Sequence, residues 1–209
     1  MRRRIASPRF GSPSTSSILG FFAMANRVYD FDPRNLPIEL LSAIGLAITS
    51  FAQTEQFIQE AIAGCAGLDV EYGKAFTIHM PMPLRFSALR SLAEIRIDDL
   101  DLLDELDRYL DQIDECSSKR NYMAHRQWCR DSKTNQLYTL KEDARSRLEM
   151  DLLPMTIDQV KADALFIYKV GIDFFQFLGL CNLLPAFPPK LRPRAHKSKA
   201  ARKKRREQK

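Results

Sequence analysis

Three side chains within six positions carry the chemistry that stands out in this chain. They are Arg120, Asn121 and His125, in the run SSKRNYMAHRQWCRD at 117–131. An arginine offers a planar fork of donors matched to phosphate. An imidazole ordinarily titrates near neutrality and moves protons as a general acid or base. An asparagine orients an imidazole or donates to an oxyanion. Together such groups suit RNA cleavage without a metal. A ribose 2′-OH loses its proton and attacks the adjacent phosphate. The guanidinium holds the phosphorus oxygens, and a second imidazole, which another subunit could supply, protonates the leaving 5′ oxygen. The product is a 2′,3′-cyclic phosphate.

Spacing decides which of these groups can meet. On a helix, Asn121 and His125 are one turn apart and share a face, with Trp128 three positions on. Arg120 instead continues the apolar stripe of Leu102, Leu106, Tyr109, Ile113 and Cys116. Arg120 and His125 are five apart, about 140° around an ideal helix. One chain therefore brings them together awkwardly, and two copies would do so naturally. The same residues also fit a plain helix C-terminus, where Lys119, Arg120, Arg126 and Arg130 complement the dipole.

The elements that must hold these residues are mostly helical by apolar period. A first helix is expected from Pro37 to about Ala66, ended by Gly64 and Gly67. Residues 68–82 read as a connector, with His79 in a loop. A second helix is expected over 83–97. A third starts at Asp99 or Asp101, where carboxylates suit the positive helix end, and runs to about Trp128. Residues 136–140 and 147–152 suit a small hairpin. A last helix starts at Thr156 with Gln159 three positions on, a capping box. Its Lys169, Asp173 and Gln176 argue for a core helix over a membrane span.

The net charge of +6 hides an uneven distribution. Residues 190–209 hold eleven Lys/Arg and one acid, residues 1–26 hold four Arg and no acid, and residues 27–189 hold 17 basic and 25 acidic residues. The body is acidic and both ends are basic. Residues 1–30 read as a disordered basic N-terminal segment with the composition of a transit peptide, or as an extension before a start at Met24. Residues 185–209 read as a disordered polybasic tail, in which Lys203, Lys204, Arg205 and Arg206 would neutralise nucleic-acid phosphates. His196 adds to that tail. Cys65, Cys116, Cys129 and Cys181 show no short paired spacing and read as reduced cytoplasmic thiols. Cys116, His125 and Cys129 lack the spacing of a zinc site, so no metal or other cofactor is expected.

The stretch RNYMAH at 120–125 resembles the R-x4–6-H motif of the HEPN superfamily (higher eukaryotes and prokaryotes nucleotide-binding domain). The long first helix with the polar run SFAQTEQFIQEAI, and a motif late in the third helix, resemble it too. The resemblance spans about residues 37–184 and implies an all-α, up-and-down four-helix bundle over 35–184, with a small irregular or hairpin insertion before the last helix. It implies a homodimer with both motifs at a shared cleft, and a metal-independent endoribonuclease in which Arg120, Asn121 and His125 are catalytic. Members serve as toxins, in defence or in RNA processing, so an antitoxin or regulatory protein is a further implied partner. Other members are non-catalytic modules that bind a protein or nucleotide. Glu55, midway along the first helix, would pair Arg120, orient His125 or simply meet solvent. Trp128 would pack on the core or stack on a base.

Overall fold

Residues 23–24, 27–143, 149–185 and 207–208 are described in the computed structural model of the chain. Apolar residues at three- and four-residue steps produce five α-helices among them: α1 (Ile38–Cys65), α2 (Val70–Thr77), α3 (Met82–Arg96), α4 (Leu100–His125) and α5 (Ile157–Leu180). Along α1 the buried set Leu40, Ala43, Ala47, Phe51, Ile58 and Ala61 follows the helical period. The ends are set by local chemistry. The Asp99 carboxylate accepts from the Asp101 backbone N–H at 2.9 Å and starts α4. Thr156 and Gln159 exchange backbone-to-side-chain bonds of 3.2 Å in both directions, the capping box that starts α5.

Both long apolar helices stop in the same way. At the end of α1, Leu68 N–H reaches the Ala63 carbonyl and Gly67 N–H reaches Gly64, with Gly67 at φ +65. At the end of α5, Leu183 N–H reaches Leu178 and Asn182 N–H reaches Gly179, with Asn182 at φ 55. These are paired six-to-one and five-to-two bonds around a left-handed residue, which satisfy the last carbonyls.

The expected all-α, four-helix bundle is corrected by an antiparallel sheet. Strands β2 (Arg27–Asp30), β3 (Gln127–Asp131), β4 (Leu137–Asp143) and β5 (Glu149–Met155) pair in that order, and the two-residue β1 (Ala23–Met24) extends the β2 edge. The expected hairpin is present as β4–β5, but it is two strands of a larger sheet. The third helix does not run to Trp128. It ends at His125, and Trp128 lies in β3, paired with Thr139 of β4. β1 and β2 fall within the segment assigned by composition to a basic arm. The connector after α1 contains the short helix α2.

The described residues divide into two compact units. One comprises residues up to Glu55 with Asp107–Phe175, and so contains the whole sheet and the C-terminal part of α4. Its core includes Leu40, Phe51, Leu110, Ile113, Met123, Cys129, Ile167 and Phe174. The other comprises Gln56–Leu106 with residues from Gln176 onward. In it, Gly73 of α2 lies against Ala63, and Gly64 lies under the Leu183 carbonyl. A side chain at either glycine would overlap those atoms. Among the described residues, no helix is long and apolar enough to cross a membrane.

Candidate functional site

The end of α4 turns into β3 with only Arg126 between them. That corner is fixed by Trp128, whose indole N–H donates to the Met123 carbonyl at 3.0 Å. The bond satisfies one of the carbonyls that a helix end leaves open. Trp128 is buried, so its ring packs in the core and is not presented for stacking on a base. β4 then runs back antiparallel to β3, with Leu140 opposite Gln127. Because Gln127 is the first residue of β3, Lys141 and Glu142 of β4 continue past it and come alongside the helix end.

Between the two lies an open cleft of about 590 Å³. Ser118, Asn121, Tyr122, His125 and Arg126 line it from the end of α4, and Leu140, Lys141 and Glu142 line it from β4. Asn121 and His125 are both exposed there, one helical turn apart. The cleft thus collects an amide, an imidazole, two cations and one carboxylate.

Arg120 is not brought to this cleft. Its guanidinium lies over the Phe51 ring of α1, 4.7 Å from the ring centre, and the residue is half-buried. The reason is its helical phase: it stands one turn beyond the buried Cys116, on the face that packs inward. The aromatic face of Phe51 attracts the cation that burial would otherwise disfavour. Glu55 is half-buried one turn after Phe51 on α1 and does not line the cleft. Lys203, Lys204, Arg205 and Arg206 lie outside the described residues.

A second cluster holds the helix end in place. Asp163 of α5 accepts from Lys119 Nζ at 2.6 Å and from the Tyr122 hydroxyl at 2.7 Å. Lys119 also lies 3.4 Å from Glu115. Burial, then the Asp163 carboxylate, hold the Tyr122 phenol well above its ordinary value of 10.0. The Asp163 bond also raises Lys119 above its ordinary 10.5. Tyr122 therefore keeps its proton and acts as a tether. Arg126 sits over its ring, 5.6 Å from the centre, so the tether also positions one of the cleft's cations.

Sequence reasoning placed Asn121 and His125 together but missed Arg126, Lys141, Glu142 and Asp163. Arg126 adjoins the motif and was read only as a complement to the helix dipole. The others reach the site through the β3–β4 reversal and through α5, which no spacing within the motif could reveal. Among the described residues, no group of three or more His, Cys, Asp or Glu is placed to hold a metal ion. Comparison with protein-family models, curated proteins and solved structures yields no match for this chain.

Proposed function

We propose that the cleft at the end of α4 binds RNA and that His125 is its proton-transfer group in metal-independent cleavage. The observation that carries this reading is the shared exposure of Asn121 and His125 in one cleft with Arg126 and Lys141. In the proposed reaction, Arg126 and Lys141 contact the phosphate. Glu142 accepts the 2′-OH proton as that oxygen attacks phosphorus. His125 protonates the departing 5′ oxygen, leaving a 2′,3′-cyclic phosphate and a 5′-OH. Asn121, one turn from His125, orients the imidazole or donates to a phosphate oxygen.

The resemblance of RNYMAH to the HEPN motif supports the same chemistry, with one departure. The family's arginine falls on Arg120, which stacks on Phe51, whereas Arg126 and Lys141 face the cleft without rearrangement. That departure favours a second reading, a non-catalytic module that binds a nucleotide or protein partner at the cleft.

The test is incubation of the purified chain with mixed RNA in EDTA, beside His125→Ala, Arg126→Ala, Glu142→Gln and Arg120→Ala. The cleavage reading expects His125→Ala to lose about a hundredfold or more in rate, the usual contribution of a positioned acid or base. Arg120→Ala should lose less. Cleavage that survives His125→Ala and Glu142→Gln sinks this assignment. RNA binding without cleavage, weakened by Arg126→Ala and by salt, establishes the second reading instead.

A further inference from the structure

One helix face in the sheet-bearing unit has a composition that its position does not explain. Between Glu39 and Glu55, α1 carries no charged residue. Yet Leu41, Ser42, Gly45, Leu46, Ile48 and Thr49 are all exposed. The chain is not short of charge for outward faces, since α4 presents Asp107, Asp111 and Asp114 to solvent. Gly45 is the centre of this face. A methyl group built there would meet nothing within 4 Å among the described residues, so none of them requires a glycine there. Glycine in a helix interior costs about 1 kcal/mol relative to alanine. A glycine that the described residues do not need, amid small and apolar neighbours, is what a close helix crossing from outside requires.

The face continues onto α5 across a groove of about 370 Å³, lined by Ser42 and Leu46 of α1 and by Lys161 and Ala164 of α5. Beyond the groove, Leu165 and Tyr168 are exposed at helical spacing. We infer that this α1–α5 face is the interface with a second copy of the chain, with the two α1 helices crossing at Gly45.

Two features select a second copy as the occupant. The charges lining the groove are one of each sign, Glu39 on α1 and Lys161 on α5. An isologous two-fold contact pairs the same patch with itself, and a patch that carries one charge of each sign can set each against its opposite in the other copy. The area is also of the right size. Ile38, Leu41, Leu46, Ile48, Leu165 and Tyr168 are between 37% and 68% exposed. At roughly 200 Å² for a side chain of this size, they present roughly 550 Å² of apolar surface. That is the larger part of the roughly 800 Å² per partner of a stable dimer, and the exposed Ser42, Gly45 and Thr49 add to it. His125 lies on the opposite side of α4 from its packed face, so each copy keeps its own cleft. The inference is therefore independent of the proposed chemistry.

The test is sedimentation velocity on the full chain over a wide concentration range, beside Gly45→Glu, Leu46→Glu and His125→Ala. Both interface substitutions sit at exposed positions on a helix, and Gly45→Glu raises helix propensity, so circular dichroism should stay unchanged. The expected result is a wild-type dimer of twice 24.0 kDa, kept by His125→Ala. Association should be weakened by roughly a hundredfold or more in each interface variant, since each would bury an unpaired carboxylate. A wild type that is monomeric throughout overturns the inference and leaves the face to another occupant. A dimer that survives both interface substitutions overturns it too. A wild-type dimer that cleaves no RNA would count against the chemistry alone.

Discussion

Replacing Asp163 by alanine tests whether the end of α4 is tethered as described. The carboxylate accepts two bonds, from Lys119 and from Tyr122. A hydrogen bond to a charged group contributes about 1.5–3 kcal/mol when it is shielded. The ion pair is only partly shielded, with Lys119 and Asp163 side chains 26% and 24% exposed. Lys119 also keeps Glu115 as a neighbour. The lysine bond is therefore discounted to about 1 kcal/mol or less. The phenol has no such substitute, and its bond is taken near the lower charged-group figure of about 1.5 kcal/mol. The expected cost of Asp163→Ala is about 1.5–2.5 kcal/mol, or a fall in Tm of roughly 3–10 °C for a chain of this length. Asp163→Asn should lose about half as much, because one of the two accepting oxygens becomes an NH2 donor and leaves Lys119 or Tyr122 without its acceptor. Urea unfolding followed by Trp128 fluorescence reads the sheet-bearing unit directly, since Trp128 is the chain's one tryptophan and lies in β3. A loss under about 0.5 kcal/mol for Asp163→Ala would refute the tether, as would strict additivity with Tyr122→Phe.

Three further outcomes follow from the same structure. Tyr122 and Lys119 both hold their protons more tightly when folded, so their contribution is whole below about pH 10 and is lost as pH rises through the raised values; alkaline unfolding of Tyr122→Phe should start from a lower stability and fall less steeply than wild type, and parallel curves would contradict this. Gly64→Ala should cost about 2–3 kcal/mol, because the new Cβ meets the backbone of Leu183 and Leu184, whereas Gly45→Ala should not destabilise the monomer; equal effects in urea titrations would count against the packing described. Burial pushes the Cys65 and Cys129 thiols up to about 11 and Cys116 up to about 12, and burial with the Asp99 charge also raises Cys181, which is only partly buried; a disulfide-exchange reagent should find one accessible thiol in the native chain and four in urea, and native reaction of more than one on the same timescale would refute it.

What the sequence made legible were features written in adjacent residues. The Thr156–Gln159 box and the Gly67 stop each depend on a few neighbouring positions, and both are where spacing put them. The β4–β5 hairpin was also readable, because its strands adjoin. The errors share a physical origin. Trp128 sits three residues after His125, so a helical reading absorbed it, although a buried indole bonded to Met123 belongs to the turn into β3. α2 is only eight residues long and lacks a side-chain cap bond, so its pattern was too short to stand out. β2 lies next to a basic segment, and its partner β3 is about a hundred residues away. No local pattern reports such a pairing. The candidate site divides along the same line: Asn121 and His125 were legible as neighbours on one helix, while Lys141, Glu142 and Asp163 arrive from other elements.

The pairing of Tyr29 with Asp131, and of Asp30 with Arg130, has a kinetic consequence. β3, β4 and β5 are joined by short connections and can pair as successive hairpins, within microseconds once their turns form. β2 can join only after the chain from Phe31 to Arg126 has brought its ends together. Loop-closure entropy for such a length exceeds that of a ten-residue turn by roughly 2 kcal/mol, and no contact of the strand offsets it until the ends meet. β2, with β1 beside it, is then the last part of the sheet to join the β3–β5 strands. Until it docks, β3 presents an open row of backbone donors and acceptors, the kind of edge along which partly folded chains pair with one another. Refolding at high concentration should therefore be limited by aggregation during the interval before β2 closes that edge.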